Sequence, residues 1–288
     1  MKTLPGKPKR EVLLILSSLL ILSFSRCDSN PGLISFEAAV TRANAVDPGA
    51  LGVPIAKASV ILDRPQIPIL CYHQIRDWRS SDSKRAKDYI VPVENFREQM
   101  KMLAENGYHT ILPDQLDDYL LKGTGLPAKP IMITFDDSRM EQCTIGMEEL
   151  KKYGFRGVFF IMTVALNKPG YMTNTEVKEL AAEGNVVGSH TWDHSNVKNY
   201  TAGDWIKQVD KPSSQLETIT GKPVKYFAYP FGLWNKNAVE HLKERGFTAA
   251  FQLSDKRDPD DPLFTIRRMI VPGEWTTATL LKWIHQDF

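Results

Sequence analysis

The chain is poor in the features that mark most specialised binding classes. Only Cys27, Cys71 and Cys143 are cysteine among 288 residues; three cannot build a disulfide framework, and their separations fit no metal knuckle. Cys71, inside the apolar run Ile67-Pro-Ile-Leu-Cys-Tyr72, reads as a small buried hydrophobe. No excess of one charge is present either. With 36 basic against 34 acidic side chains the net charge is +2, which excludes a broad basic face for nucleic acid and an acidic disordered tail. Solenoid or propeller repeats are missing as well.

Long hydrophobic runs are also missing, with one exception. Residues 12–25 are almost wholly apolar and follow Lys2, Lys7, Lys9 and Arg10, which is the pattern of a secretory signal over residues 1–25. Ser23 and Ser25 supply small residues for cleavage before Arg26. Lipid modification of Cys27, or retention as an uncleaved anchor, are the alternatives, and all three place the chain outside the cytoplasm. Membrane contact is expected only through this segment or a lipid on Cys27. Residues 26–64, with Asp-Ser-Asn-Pro-Gly and Val-Asp-Pro-Gly, read as a flexible tether. A single domain is expected over 65–288, as a monomer; the 42% hydrophobic content is enough to fill its core.

What is present from residue 67 onward is an alternation of short apolar runs and amphipathic segments. The strand candidates are 67–72, 130–135, 157–163, 185–189, 225–229, 249–253 and 264–271. Helix candidates at 94–106, 141–153, 175–183 and 237–245 each stop before a glycine, the residue that supplies a left-handed cap. Pro212 must kink or split a further segment, 205–220. This βα order predicts a parallel sheet, as an α/β barrel or an open doubly wound fold, whose ligands collect at the C-terminal ends of the strands.

Three of those ends are unusual. The run 130–135 leads into Asp136-Asp137; 185–189 leads into His190 and, four residues on, His194; 225–229 leads into Pro230-Phe-Gly232. Singly, each has an ordinary explanation: a solvated turn, a chance histidine pair, a tight turn. Jointly they suit metal-assisted hydrolysis. Two imidazoles and one carboxylate suit zinc or a similar divalent ion, with a position left for water. Adjacent aspartates can divide the work, one toward the metal and one toward the water proton. Backbone N–H groups at the Pro-Phe-Gly turn can hold an oxyanion.

Thr134-Phe-Asp-Asp137, Ser189-His-Thr-Trp-Asp-His194 and Ala228-Tyr-Pro-Phe-Gly232 resemble the first three motifs of the polysaccharide deacetylases, carbohydrate esterase family four. Pro68-Ile-Leu-Cys-Tyr-His-Gln-Ile75 looks like the branch acting on poly-β-1,6-N-acetylglucosamine. The resemblance covers roughly residues 65–272. It implies a distorted, incomplete (β/α) barrel of about seven parallel strands and hydrolysis of N-acetyl groups from a polysaccharide. Asp136 would be the base; Asp137, His190 and His194 would hold zinc, or cobalt, nickel or iron; the Phe231 N–H would hold the oxyanion. An O-acetyl esterase of the same fold, or a carbohydrate-binding protein without catalysis, would share these motifs.

Two departures stand out. Where the family commonly has an arginine tuning the base, this chain has Ala228. Arg267 or Arg268 could replace it, although adjacent charges near a strand ordinarily mark a solvated face. The family's late leucine-x-histidine acid has only His285 as counterpart, near the chain end in an apparent helix. His73, after the first strand, is the other candidate acid. Trp192, Tyr229, Pro230 and Trp234 are the candidate sugar contacts, because sugar rings present apolar faces that stack on aromatics. Residues 76–92 form a long charged loop on the same rim, either a substrate-edge element or a mobile insertion.

Overall fold

The computed structural model describes residues 55–288. The expected signal, most of the expected tether and Cys27 lie outside the described residues. Residues 58–63 of that tether are not irregular: Ala58–Asp63 is a helix whose Ile61 is buried, so the folded part begins before residue 65. No helix among the described residues is long and apolar enough to cross a membrane.

Seven parallel strands follow one another along the chain: β1 Ile69–Tyr72, β2 Pro130–Asp136, β3 Val158–Ile161, β4 Val186–Ser189, β5 Tyr226–Ala228, β6 Ala249–Phe251 and β7 Met269–Ile270. Their spatial order is β7-β1-β2-β3-β4-β5-β6. A further two-residue strand, His109–Thr110, pairs with the first residues of β2. The last strand does more than add an edge. Ile266 and Arg268 bond to β6 and the residue after it, through Ile266 N to Ala250 O at 3.0 Å and Arg268 N to Leu253 O at 3.0 Å. Two residues later, Met269 and Ile270 are in register with Leu70 and Cys71 of β1. One stretch thus reaches both outer strands, and the sheet curls into the distorted, incomplete barrel expected.

Strand alternation sorts the side chains into two cores. Ile69, Met132, Val158, Phe160, Tyr226, Ala228, Ala249, Phe251 and Ile266 fill the barrel interior. Leu70, Tyr72, Ile131, Ile133, Phe135, Phe159 and Phe227 face outward under the helices Val93–Glu105, Asn174–Ala182, Lys236–Glu244 and Thr277–Asp287. Ile61, Ile111, Leu116 and Leu120 join the interior cluster from helices Ala58–Asp63 and Pro113–Lys122 and the turn before the latter. They seal the end where the strands begin. Gly107, Gly154, Gly184 and Gly246 all have left-handed φ between 67° and 85°, so the four expected helix stops are real.

Two helical segments are irregular. The segment 141–153 opens as a π-helix, Gln142–Met147, before Glu148–Lys152 turns α-helical. There Gly146 packs so closely that an added Cβ would lie 3.1 Å from Ile75 and 3.3 Å from Phe135. The segment holding Pro212 splits as expected, with a π-helical Ile206–Asp210 before Lys211–Thr220. A proline lacks the N–H that the regular ladder needs, and the wider turn absorbs that loss.

Candidate active site and metal centre

Inner-face positions climb the barrel wall in layers. Along β2 they run Met132, Thr134, Asp136, so the hydrophobic filling ends and a carboxylate begins where the strand meets the rim. Asp136 is 2% exposed and Arg268, 1% exposed. The guanidinium donates to both carboxylate oxygens, at 2.7 and 2.8 Å, and also to Thr134 Oγ1 at 3.2 Å and Gln252 O at 3.1 Å. Burial alone would raise the Asp136 pKa. The Arg268 charge beside it, with His190 adding, outweighs that and holds the carboxyl well below its usual range. The ordinary reading of 267–268 as a solvated face is therefore wrong for Arg268. Arg267 points the other way and reaches Asp287 Oδ1 at 3.2 Å.

His190 and His194 follow β4 and meet Asp137. Asp137 Oδ1 is 3.6 Å from Nε2 of each histidine. The three donor atoms lie within 4.8 Å of one another. A tetrahedral ion with bonds of about 2.0–2.1 Å needs ligand edges of about 3.3 Å, so small shifts suffice. The donor set fits a divalent ion on chemical grounds too. His190 Nδ1 is 2.8 Å from the Ala228 carbonyl, which can only accept, so this nitrogen carries the proton. Its Nε2 lone pair then faces carboxylate oxygens, and this buried atom has no hydrogen-bond partner. Burial pushes the His190 pKa down to about 4, so a proton does not fill the gap at neutral pH. A cation would satisfy an acceptor aimed at acceptors, in the arrangement where an outer carbonyl orients a ligating imidazole.

The backbone around these groups is held in unusual shapes. Asp137, Ser138, Thr191, His194 and Phe231 all have positive φ, between 60° and 75°, a left-handed conformation that costs about 1–2 kcal/mol for each side-chain-bearing residue. Ser138 tolerates it while bridging to the next loop, its Oγ accepting from Met162 N at 2.7 Å. Within β4, an added Cβ on Gly188 would meet the Phe160 ring at 2.6 Å and Tyr226 O at 2.9 Å, so this position requires glycine for strands and rings to approach.

His73 arrives at the same rim from β1. One of its ring nitrogens, Cys71 Sγ and an Asp136 carboxylate oxygen lie within 4.8 Å of one another. Its Nδ1 is buried without a hydrogen-bond partner, and burial lowers its pKa. Gln142 ties this loop to the next, donating Nε2 to the carbonyls of both His73 and Asp136. Cys71 is buried as expected, but its Sγ is 3.6 Å from Asp136 Oδ2, so it walls the site and is more than core filling.

The other candidates divide. Phe231 is 58% exposed at the rim, its ring edge-on to His194 with centroids 4.4 Å apart. Trp192 is half-buried beside the histidines, with Lys207 Nζ 4.3 Å from its ring centre. Trp234 instead packs under its loop, its Nε1 donating to buried Gln252 at 2.9 Å. Tyr229 is 1% exposed and belongs to the outward-facing core, with its ring 5.4 Å from Phe227; alternation turns it away from the cleft, and Pro230 is buried too. His285 is not in the site. Its Nε2 contacts Tyr108 Oη at 3.1 Å, just before the strand that pairs with the first residues of β2, whereas Asp136 closes that strand's far end.

Comparison with known proteins agrees with this geometry. Residues 123–250 match the family model described as polysaccharide deacetylase. That stretch holds the Asp136-Asp137, His190/His194 and Pro230-Phe-Gly232 motifs. It is 25% identical over 300 aligned positions to a poly-β-1,6-N-acetyl-D-glucosamine N-deacetylase of Staphylococcus aureus (strain MSSA476), covering 96% of this chain and 97% of that one. A Bacillus subtilis (strain 168) protein assigned to the polysaccharide deacetylases is 27% identical over 182 residues, 63% of this chain but only 62% of its own length. Among solved structures, a polysaccharide deacetylase from Bacillus cereus superposes with TM-score 0.66 at 26% identity, over 76% of this chain and 69% of that one. IcaB from Ammonifex degensii superposes with TM-score 0.64 at 25% identity, over 76% and 97%. Gln142 and Cys71 are site residues that motif reading left unassigned, and Arg268 was offered only as one of two alternatives with Arg267. The only sequence signal for Arg268 was the missing arginine at Ala228.

Proposed function

We propose that this chain is a divalent-metal-dependent N-deacetylase that removes acetyl groups from an N-acetylglucosamine-containing polysaccharide outside the cytoplasm, releasing acetate. The observation that carries the reading is the convergence of Asp137, His190 and His194, with the His190 Nε2 lone pair buried and unsatisfied, next to a second carboxylate held ionised by Arg268. Beta-1,6-linked oligomers are the first substrate to try, given the name of the S. aureus relative.

A divalent ion held by Asp137, His190 and His194 would polarise the amide carbonyl and acidify water there. Asp136 takes the proton from the attacking water. Its two oxygens already accept from Arg268, which fixes the carboxylate plane, and each keeps a further lone pair for that proton. The Phe231 N–H, at the left-handed turn after Pro230, donates to the oxyanion as the carbonyl becomes tetrahedral. When the C–N bond breaks, the amine leaves with a proton donated by His73, which recovers it from Asp136, the carboxylate that took it from the water; among the described residues His73 is the one imidazole besides the two ligands near Asp136. Net, water adds across the amide to give acetate and a glucosamine unit. Trp192 and Phe231 offer exposed aromatic surface for the sugar rings.

The test is acetate release from defined N-acetylglucosamine oligomers by the chain stripped with chelator and then reloaded with zinc, cobalt or nickel. Release that appears only on reloading is the expected result. Release unaffected by chelation, or release from O-acetylated oligomers alone, would overturn the reading.

A further inference from the structure

Strands β1 and β2 are in register from Ile69 with Met132 to Tyr72 with Phe135. The next rung would face His73 with Asp136, and there a side chain takes over from the backbone ladder. Gln142 Nε2 donates to the His73 carbonyl at 2.6 Å and also to the Asp136 carbonyl. Gln142 is fully buried. One amide thus staples the backbone of the proton donor to that of the base.

The two residues do not need the staple equally. Asp136 is already held, because its carboxylate takes two bonds from Arg268 and its backbone is in register with Phe160 of β3. The His73 ring is not. Its Nδ1 is buried without a partner, and Tyr89 meets it edge-on with centroids 5.0 Å apart, a contact that restrains a ring without directing its N–H. The chain also turns away here, since Gln74 and Ile75 pair with Ile90 and Val91. Where the imidazole stands therefore depends on where its backbone is fastened.

Gln142 is itself anchored from the opposite side. Its N donates to Arg139 O at 3.1 Å, and Met172 N donates to Ser138 O at 3.0 Å. It opens the π-helix Gln142–Met147, a wide turn of the kind that concentrates at functional sites. Its Oε1 is buried with no partner, so half of the amide carries a desolvation cost with no return. A residue serving stability alone would be apolar or fully paired at this place.

We propose that Gln142 is the positioning residue of the proton relay: it holds the His73 backbone one rung beyond the ladder, at the distance from Asp136 that lets His73 recover the water proton and pass it to the leaving amine. The proposal rests on the deacetylase reading. Gln142 makes and breaks no covalent bond; a shift of about 1 Å in such a group can cost about 10²-fold in rate. An amide depends on this relay because its amine must leave protonated. The nitrophenolate of para-nitrophenyl acetate leaves without a proton and requires Asp136 alone as base.

The experiment compares an N-acetylglucosamine oligomer with para-nitrophenyl acetate on the full chain loaded with zinc. Gln142→Met lowers kcat on the oligomer about tenfold or more with KM within about twofold, changes ester turnover less than about threefold, and leaves zinc per chain constant. His73→Ala shows the same split, and adding Gln142→Met to it costs less than about twofold more. Should Gln142→Met lose cooperative melting, Gln142→Asn, whose shorter amide reaches one carbonyl at most, carries the same comparison. A second readout needs no turnover. In nitrogen NMR the His73 imidazole signal, identified by its loss in His73→Ala, is single in the wild type and broadened or doubled in the Gln142 variant. Undiminished oligomer turnover, equal losses on oligomer and ester, losses that multiply in the double variant, or an unchanged His73 signal overturns the proposal. A wild type that releases no acetate from the oligomer, with the His73 signal still doubled in the variant, sinks the deacetylase reading and leaves the staple standing.

Discussion

Where the strands begin, Ile61, Ile111, Leu116 and Leu120 seal the barrel interior with apolar contacts; where they end, the same inner wall carries Asp136, Arg268, Cys71 and His190, all nearly inaccessible to water. Among the described residues, non-glycine residues with positive φ gather at that second end, Asp137, Ser138, Thr191, His194 and Phe231 among them. The difference teaches how one sheet serves two purposes. One end closes the hydrophobic core, and that packing holds the polar, strained arrangement at the other, which would not persist by itself.

The comparison breaks most visibly at Asp136. Asp136→Asn is expected to cut acetate release about 10²–10⁴-fold while zinc per chain stays constant by elemental analysis; undiminished release removes the base assignment. Arg268→Met leaves that carboxylate buried and unpaired, a loss of roughly 3–5 kcal/mol, or about 2–4 °C of melting temperature per kcal/mol in a domain of this size. The Asp136→Asn/Arg268→Met double variant should recover much of the loss by calorimetry. Because the Asp136 pKa is depressed, the stability from this pair is present above the ordinary carboxylate range and lost as pH falls below it. His194→Ala should weaken zinc binding by more than the roughly 10–100-fold typical of losing an outer-shell partner. Retained zinc in competition with a chelator would exclude His194 as a ligand.

The sealed end holds one titratable exception, which sharpens the contrast. Asp117, on the plugging helix Pro113–Lys122, has a pKa pushed up to about 7 by burial, with Asp114 and Asp118 adding, against a bond from Thr248. A raised carboxyl contributes stability below its unfolded pKa and loses it as pH rises through about 7. The wild-type melting temperature should therefore fall between pH 5 and about 8 relative to Asp117→Asn; parallel pH profiles would show that Asp117 does not titrate there. The smallest effect belongs to His285→Ala, which should change acetate release less than about twofold, since the hydrogen bond to Tyr108 is worth about 1 kcal/mol at most. A tenfold loss would return His285 to the chemistry.

Much of this is legible in the amino-acid sequence. Seven apolar runs became seven strands, and glycine stopped helices where the pattern placed it. The spacing of Asp136-Asp137 and His190/His194 marked candidate metal ligands because each pair sits at the end of its strand, and the fold brings donor atoms of Asp137, His190 and His194 within 4.8 Å of one another. Tyr229 was misread because its neighbours in sequence line the rim, while alternation along β5 turns its ring to the helices. Trp234 lies in the same turn, yet Gln252 holds its indole beneath the loop. His285 matched a familiar pattern, but its helix packs at the other end of β2.

The order of strands and helices, the chemistry of the paired motifs and their place at strand ends follow from residue types and spacing, because those properties are local. The replacement for the arginine absent at Ala228 does not. Arg268 stands 132 positions from Asp136, and whether it or Arg267 faces inward depends on the register by which the last stretch bonds to β6 and then β1. Only the closure of the sheet brings that guanidinium to the carboxylate, because a contact between chain-distant residues is a property of how strands pair.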